Sequence, residues 1–422
     1  MNWIIRYSIC STTQSELLIQ GWNSEIIVTT FVQFFNTIFG RFTSQLRRFH
    51  NLLGSIIILD EPQTIPFEYW NAVRNALLFL SERFGFIIIM MSATQPLIFA
   101  EYETRELAPS DIIKKIPHRV EFHPKNQQPI KIDEFCMAIN KLINENKTKN
   151  ILIELNTIAN ANSAFRSIQE KVIKSHNLFY LSSQVIPKHR RPRIEQIKDH
   201  SDPIVLVSTQ VIEAGVDLDF DIAVRDIGPI DSIVQTSGRC NRNGKKKASG
   251  SPFFIYRIVD DNYNDIATHI YGRISIDISN RLLSSNSNIL ALVKSYYEEV
   301  LRRRSSQSSN EIATAISELD YEKVEQSFKL IDQDFKFPVF VEFDEYAIKI
   351  WNRYVEIHQQ EGRKPSRSEI IQQRHEMEQY MIGVSELDIT RSNLQETSGV
   401  YKIDHNDIGL LYDEITGFRI RI

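Results

Sequence analysis

Two adjacent carboxylates, Asp60 and Glu61, follow directly on the apolar run at residues 56–59. A carboxylate pair at a strand end suits a hydrated Mg2+ ion and a water aimed at a nucleotide phosphate. It suits a plain solvated turn equally well. Three other polar stretches also close apolar runs. Ser92-Ala93-Thr94 follows residues 86–91. Ser208-Thr209-Gln210 runs on to Glu213-Ala214-Gly215-Val216-Asp217. Gln235-Thr236-Ser237-Gly238-Arg239-Cys240-Asn241-Arg242 lies further on, where a helix is expected. Ser-Ala-Thr reads as a helix N-cap as readily as a site. Arg239 and Arg242, three apart, fall on one face of a helix, where they would meet either a phosphate or solvent. The order and spacing of the four stretches together argue against coincidence.

Such residues need strands to carry them. Short unbroken apolar runs read as strands of a parallel sheet buried on both faces, and ligands bind beyond the carboxyl ends of such strands. A strand at 26–30, a helix at 31–42, the strand ending in Asp60, a helix at 67–84 and a strand at 86–91 alternate as in a doubly wound α/β domain. Residues 104–128, with Pro109, Pro117 and Pro124, read as a connector. A second α/β unit follows. Its strands are expected at 150–155, 178–181, 204–209, 221–224 and 253–259, its helices at 135–145 and 159–174, and a turn and helix over 230–242. Beyond about residue 260 the pattern becomes helical and amphipathic at 266–304 and 311–329. A strand at 337–343, a helix at 345–360 and a hairpin-like tail at 400–422 complete it. The expected organisation is a first domain over 1–118, a second over 119–262 and a C-terminal accessory region over 263–422.

With 422 residues, 42% hydrophobic and 24% charged, the chain has the composition of a globular protein of two or three domains. Its net charge of −4 does not mark a nucleic-acid binder, so any such binding falls to local basic patches. Arg41, Arg47, Arg48 and His50 form one. Lys188-His189-Arg190-Arg191-Pro192-Arg193 forms another, read either as part of a nucleic-acid track or as a solvated loop. Cys10, Cys136 and Cys240 are scattered and odd in number, which points to a reducing cytoplasm and gives no metal-ligand spacing. The start has no secretory pattern, and the apolar run at 87–91 is too short to span a bilayer.

The motif set resembles superfamily-two DExD/H-box helicases: the acidic pair, Ser-Ala-Thr, Thr-Gln…Gly-Val-Asp and Gln-x-x-Gly-Arg-x-x-Arg. It is most similar to the CRISPR-associated helicase–nuclease of type I interference systems, over roughly residues 23–244. The resemblance implies two RecA-like parallel-sheet domains, the first incomplete, followed by a mostly helical C-terminal region. It implies ATP and Mg2+ as cofactors and single-stranded DNA as the track. Asp60 would hold Mg2+ through water, and Glu61 would orient or deprotonate the attacking water. Gln235, Arg239 and Arg242 would face the phosphates across the interdomain cleft, and Gly215 and Asp217 would lie near the nucleotide sugar. Ser92 and Thr94 would link nucleotide to nucleic acid. Thr29, Thr30 and Thr209, with Arg47 and Arg48, would contact the DNA backbone, as suits a motor indifferent to sequence. A CRISPR surveillance complex is the implied partner, in the cytoplasm.

Two departures qualify this. The sequence contains no Gly-rich loop ending in Gly-Lys-Ser/Thr before Asp60, and Gly244-Lys245-Lys246-Lys247 has neither the preceding glycines nor a following Ser/Thr. It also contains no His-Asp dipeptide of the family's nuclease domain. The expectation is therefore a truncated helicase with impaired ATP hydrolysis on its own, or one part of a split protein whose N-terminal half is a separate chain. Its first sheet should expose an apolar edge. A non-catalytic DNA-binding or assembly subunit and a DExD/H-box helicase outside CRISPR are the alternatives.

Overall fold

The computed structural model describes residues 21–107, 119–171, 176–213, 217–244, 250–285, 289–303, 307–330, 336–359 and 366–420. The chain divides into two compact units, one of residues 1–114 and 291–332, the other of 115–290 and 333–422. Residues expected as one C-terminal region, 263–422, are thus shared between the units.

In the first unit, helices α1 (Phe31–Phe39) and α2 (Thr43–Phe49) precede strand β1 (Ile56–Asp60), helix α3 (Trp70–Phe84) and strand β2 (Ile87–Met91). Strands β1 and β2 are parallel, with Ile56 opposite Ile87 and Asp60 opposite Met91. The crossover helix α3 buries Trp70, Ala72, Val73, Leu77 and Leu80, and Gly85 ends it with left-handed backbone at φ 71°. Residues of β1 alternate: Ile57 and Leu59 are buried, while Ile56 and Ile58 are 63% and 59% exposed. Ile87 and Met91 are exposed with them. Paired residues of a parallel sheet share a face, so among the described residues one face of this sheet is apolar and exposed, whereas the sequence predicts an exposed edge. The strand expected at 26–30 does not form. Ile26 and Val28 are exposed, and no strand pairs with them among the described residues. Instead Thr30 caps α1, its hydroxyl accepting from the Gln33 amide at 3.3 Å. Later helices Ile289–Arg303, Gln307–Ser317 and Tyr321–Ser327 complete the unit. Phe328 stacks on Phe39 at 4.3 Å, and Arg41 pairs with Glu325 at 2.8 Å.

The second unit is built on a six-stranded sheet, all parallel. Its members are β3 (Val120–Pro124), β4 (Ile151–Glu154), β5 (Asn177–Leu181), β6 (Ile204–Ser208), β7 (Ile222–Asp226) and β8 (Ser251–Tyr256). They lie in the order β3-β8-β7-β4-β6-β5. Helices α4 (Ile132–Glu145), α5 (Ile158–Lys171), α6 (Pro187–Lys198) and α7 (Ile230–Ser237) connect them. Every residue of β4, β6 and β7 is buried, the pattern of a sheet covered on both sides. Strand β3 falls within the stretch expected to be a connector. It is an edge strand of mixed polarity ending in Pro124, and neither feature resembles a central strand.

A second sheet in this unit joins β9 (Lys336–Val341), β10 (Met381–Ser385), β11 (Gln395–Thr397) and β12 (Val400–Ile403) in the order β10-β9-β12-β11. Its core includes Val339, Trp351, Tyr380 and Tyr412, together with Ile186 from the N-terminus of α6. Among the described residues no helix is long and apolar enough to cross a membrane.

Candidate functional site

Two groups of side chains gather at strand ends, one in each unit. In the first, Asp60 is exposed at the carboxyl end of β1. Glu61 follows in left-handed backbone at φ 55°, an unusual state for a residue with a β-carbon and one that clusters at functional sites. Its amide donates to the Met91 carbonyl at 2.8 Å, fixing the turn to the end of β2. The buried Gln63 donates its amide to Glu61 Oε2. Ser92 Oγ donates to Gln63 Oε1 at 2.7 Å and lies 2.6 Å from the Thr94 carbonyl. The buried Thr94 hydroxyl meets Tyr297 Oη at 2.9 Å. Side-chain bonds thus link Glu61, Gln63 and Ser92, and Thr94 joins them through its backbone amide while its hydroxyl reaches Tyr297. Ser92 accepts from the Thr94 amide at 3.0 Å, a local turn, and no helix begins within residues 92–100, so Ser-Ala-Thr does not cap one here.

Asp60 presents the hard oxygens that a hydrated Mg2+ prefers. Among the described residues no group of three or more His, Cys, Asp or Glu could hold a metal alone.

Thr29 and Arg47 are exposed. Arg48 donates to Gln33 Oε1, and its guanidinium lies 5.4 Å from the Trp22 ring. Gln33 is the residue whose amide Thr30 accepts, so Thr30 and Arg48 are brought together through it.

In the second unit, the carboxyl ends of β4, β6 and β7 converge. Thr209 is buried directly after β6, its amide donating to Leu181 at 3.1 Å. Gln210 donates to the Asn156 carbonyl at 3.0 Å. Gly215 lies outside the described residues. The helix expected over 230–242 ends at Ser237. Gly238 caps it, and a bridge between Phe220 and Cys240 then pulls the chain back toward the sheet, with the Phe220 amide on the Arg239 carbonyl at 3.0 Å. Arg239 and Arg242 therefore do not share a helix face. Arg239 donates to the Ile212 and Glu213 carbonyls at 3.2 and 2.6 Å. Arg242 pairs with the exposed Asp217 at 2.7 Å. Gln235 is half-buried near the end of α7.

Below this surface is a cluster not singled out in the sequence. Arg225, wholly buried near the end of β7, places Nη2 2.8 Å from Glu213 Oε1 and 3.3 Å from Glu154 Oε1. Burial pushes Glu154 well above the usual carboxylate range against the pull of Arg225, and Glu213 adds to the rise. Burial also works against the Arg225 charge, but Glu154 and Glu213 outweigh it and hold the guanidinium above its ordinary range. Asp226 next to it is pushed up to about 7 by burial, against the amides of Ile258 and Ile227 that donate to it. The available signal in the sequence was a charge pair, Arg225-Asp226, closing an otherwise apolar run.

The basic stretch on α6 resolves to a packing role for most of its members. Lys188 pairs with Asp344 at 2.5 Å. Arg193 donates to the carbonyls of Tyr180, Ile415 and Glu414 at 2.6, 2.8 and 2.9 Å. His189 Nδ1 meets Tyr412 Oη at 3.0 Å. Arg191 remains exposed.

Residues 147–245 match the family described as CRISPR-associated nuclease/helicase Cas3, C-terminal. The CRISPR-associated nuclease/helicase Cas3 of Haloferax volcanii is 25% identical over 346 aligned residues, covering 60% of this chain and 37% of that protein. Its namesake from Methanothermobacter thermautotrophicus is 28% identical over 293, covering 64% and 34%. Among solved structures, that of T. fusca Cas3-AMPPNP shares the fold with a TM-score of 0.65 at 16% identity, over 92% of this chain and 56% of that one. By sequence the chain is similar to CRISPR-associated nuclease/helicase Cas3 proteins and it shares the fold of a Cas3 structure, while spanning only 37% and 34% of the length of these two curated relatives.

Proposed function

We propose that this chain is the motor part of a CRISPR-associated helicase, binding ATP with Mg2+ and moving along single-stranded DNA in the cytoplasm when recruited by a CRISPR surveillance complex. Asp60 holds Mg2+ through water and Glu61 directs the attacking water. Gln235, Arg239 and Arg242 attend the phosphates, and Gly215 and Asp217 the sugar. Thr29, Thr30, Arg47, Arg48 and Thr209 attend the DNA backbone. Ser92 and Thr94 carry the coupling. The observation that supports this reading most is the run of bonds from Glu61 through Gln63 to Ser92, which accepts from the Thr94 amide, while the Thr94 hydroxyl meets Tyr297. A linkage between a water-orienting carboxylate and a separate segment is what coupling of hydrolysis to movement requires.

With no Gly-Lys-Ser/Thr loop in the sequence, turnover by these 422 residues alone is expected to be low. We infer that a separate chain supplies the phosphate-holding loop, and the exposed Ile56, Ile58, Ile87 and Met91 offer it an open apolar face. The test is binding of single-stranded DNA with and without Mg2+ and ATP, alongside steady-state hydrolysis. DNA affinity that shifts with nucleotide, and loses that shift in Glu61→Gln, supports the motor. Robust hydrolysis by the chain alone overturns the claim of impairment. The same open face favours a second reading, a non-catalytic assembly subunit. That reading predicts salt-dependent DNA binding indifferent to ATP, and it fails if the chain binds no DNA.

A further inference from the structure

The buried Arg225 guanidinium reaches three segments that are distant in sequence. From the end of β4 it meets Glu154, 3.3 Å from Nη2. From the turn after β6 it meets Glu213 at 2.8 Å. From α7 it meets Ser232 Oγ at 2.6 Å through Nη2, and the Ser232 carbonyl and Thr236 hydroxyl through Nη1. Tyr271 Oη, 3.3 Å away, links the cluster to Gln210, which donates to the same hydroxyl at 3.3 Å. Ser232 Oγ also donates to Glu213 Oε1 at 2.8 Å, closing a ring between the turn and the helix. From the other side, Arg239 grips the Ile212 and Glu213 carbonyls. The backbone leaves room for this: a β-carbon at Gly228 would stand 3.1 Å from Arg225 Nη2.

A planar fork of donors suits such a role, because one rigid group fixes several acceptors at set angles. The Arg225 bonds to Glu213, Ser232 and Thr236 are the ones that fix geometry, while Glu154 contributes a charge contact to Arg225 without a hydrogen bond. Its hydrogen-bond acceptors belong to the turn that follows Thr209 and to helix α7, which carries Gln235 and leads into Arg239.

We propose that Arg225 is a positioning residue that locks the turn at 209–213 to helix α7, so that these two segments of the second unit move as one rigid element. The catalytic consequence rests on the motor reading above; the mechanical claim does not. If the two segments carried separate anchors, each could relax alone, and the arginines beyond α7 would lose their register against the turn.

Amide hydrogen exchange on the full chain tests the mechanical claim. Thr236→Val keeps the shape and removes one acceptor, and exchange within residues 230–239 should speed up by about tenfold, the scale of one lost buried hydrogen bond. The strands β4 and β8 should keep wild-type rates, and Thr236→Ser, which keeps the hydroxyl, should restore protection. Arg225→Lys, which keeps the charge but not the fork, should loosen 209–213 and 230–239 together. Equal acceleration throughout the sheet, or none in either segment, overturns the proposal. Where hydrolysis can be measured, Thr236→Val should lower kcat while leaving KM for ATP within about twofold. Absence of any nucleotide effect in wild type sinks the motor reading and leaves the exchange result to decide the lock.

Discussion

Gln63 and Ser92 meet side chain to side chain at 2.7 Å, each at the end of its own strand-and-turn segment. Because Gln63 also donates to Glu61, the amide has both ends committed. Replacing it with Leu should cost about 1–3 kcal/mol of stability from the partners left unpaired, read as a lower urea midpoint. In a functional assay the same change should weaken the response of nucleotide turnover to DNA more than nucleotide binding itself.

The other end of this run of bonds is buried. Thr94→Val removes the 2.9 Å bond to Tyr297 Oη with little change in volume. A loss of about 1–2 kcal/mol is expected, and Thr94→Ser should recover most of it. Equal urea midpoints for wild type and Thr94→Val would show that the contact contributes nothing.

Asp231, in the first turn of α7, is pushed up to about 6 by burial, against amide bonds that would lower it. In the unfolded chain the group titrates near 3.8, so the folded form holds the extra proton between about pH 4 and 6. Stability from this group is therefore lost as pH rises through that window. Asp231→Asn should match wild type at pH 4 and exceed it by about 1–2 kcal/mol at pH 7, a difference that urea titrations at the two pH values resolve.

Arg193 and Arg47 should behave oppositely. Arg193→Ala removes three bonds to backbone carbonyls and should destabilise the second unit by about 1–3 kcal/mol, with unchanged salt dependence of DNA binding. Arg47→Ala, at an exposed site, should leave stability alone and lower the slope of log affinity against log salt by about one.

The open sheet face gives a further expectation. Ile58→Lys places a charge among Ile56, Ile87 and Met91, all exposed. Light scattering should show less self-association of the variant than of wild type. Greater association would mean that the face is not the sticky surface its composition implies.

These residues also mark what could be read without coordinates. The β1 and β2 runs were legible because unbroken apolar sequence admits few alternatives once a carboxylate pair or Ser-Ala-Thr closes it. Residues 26–30 had equal strand character on paper, but a strand also needs a paired neighbour, and composition cannot supply one. Strand β3 was hidden by the reverse effect: its place at the sheet edge relaxes the demand for apolar residues, so it read as linker. The helix holding Gln235 was expected to continue to Arg242, yet the bridge from Phe220 to Cys240, twenty positions apart, ends that continuation. Arg225 was passed over because a charge at a strand end ordinarily means solvent. Only the convergence of β4, β6 and α7 turns it inward.

The division of the chain also has a consequence for its biosynthesis. The polypeptide crosses between the units three times, near residues 114, 290 and 332. A ribosome that has released the first 290 residues has therefore finished neither unit: the first still awaits its helices from 291–332, and the second its sheet from 333–422. The nascent chain must carry Ile186 without Val339 for 153 codons, and without Tyr380 and Tyr412 for 194 and 226. The first unit can be completed only after residue 332 and the second only after its sheet from 333–422, so both close late in synthesis. The protein is expected to depend on chaperones that hold unfinished chains until translation ends.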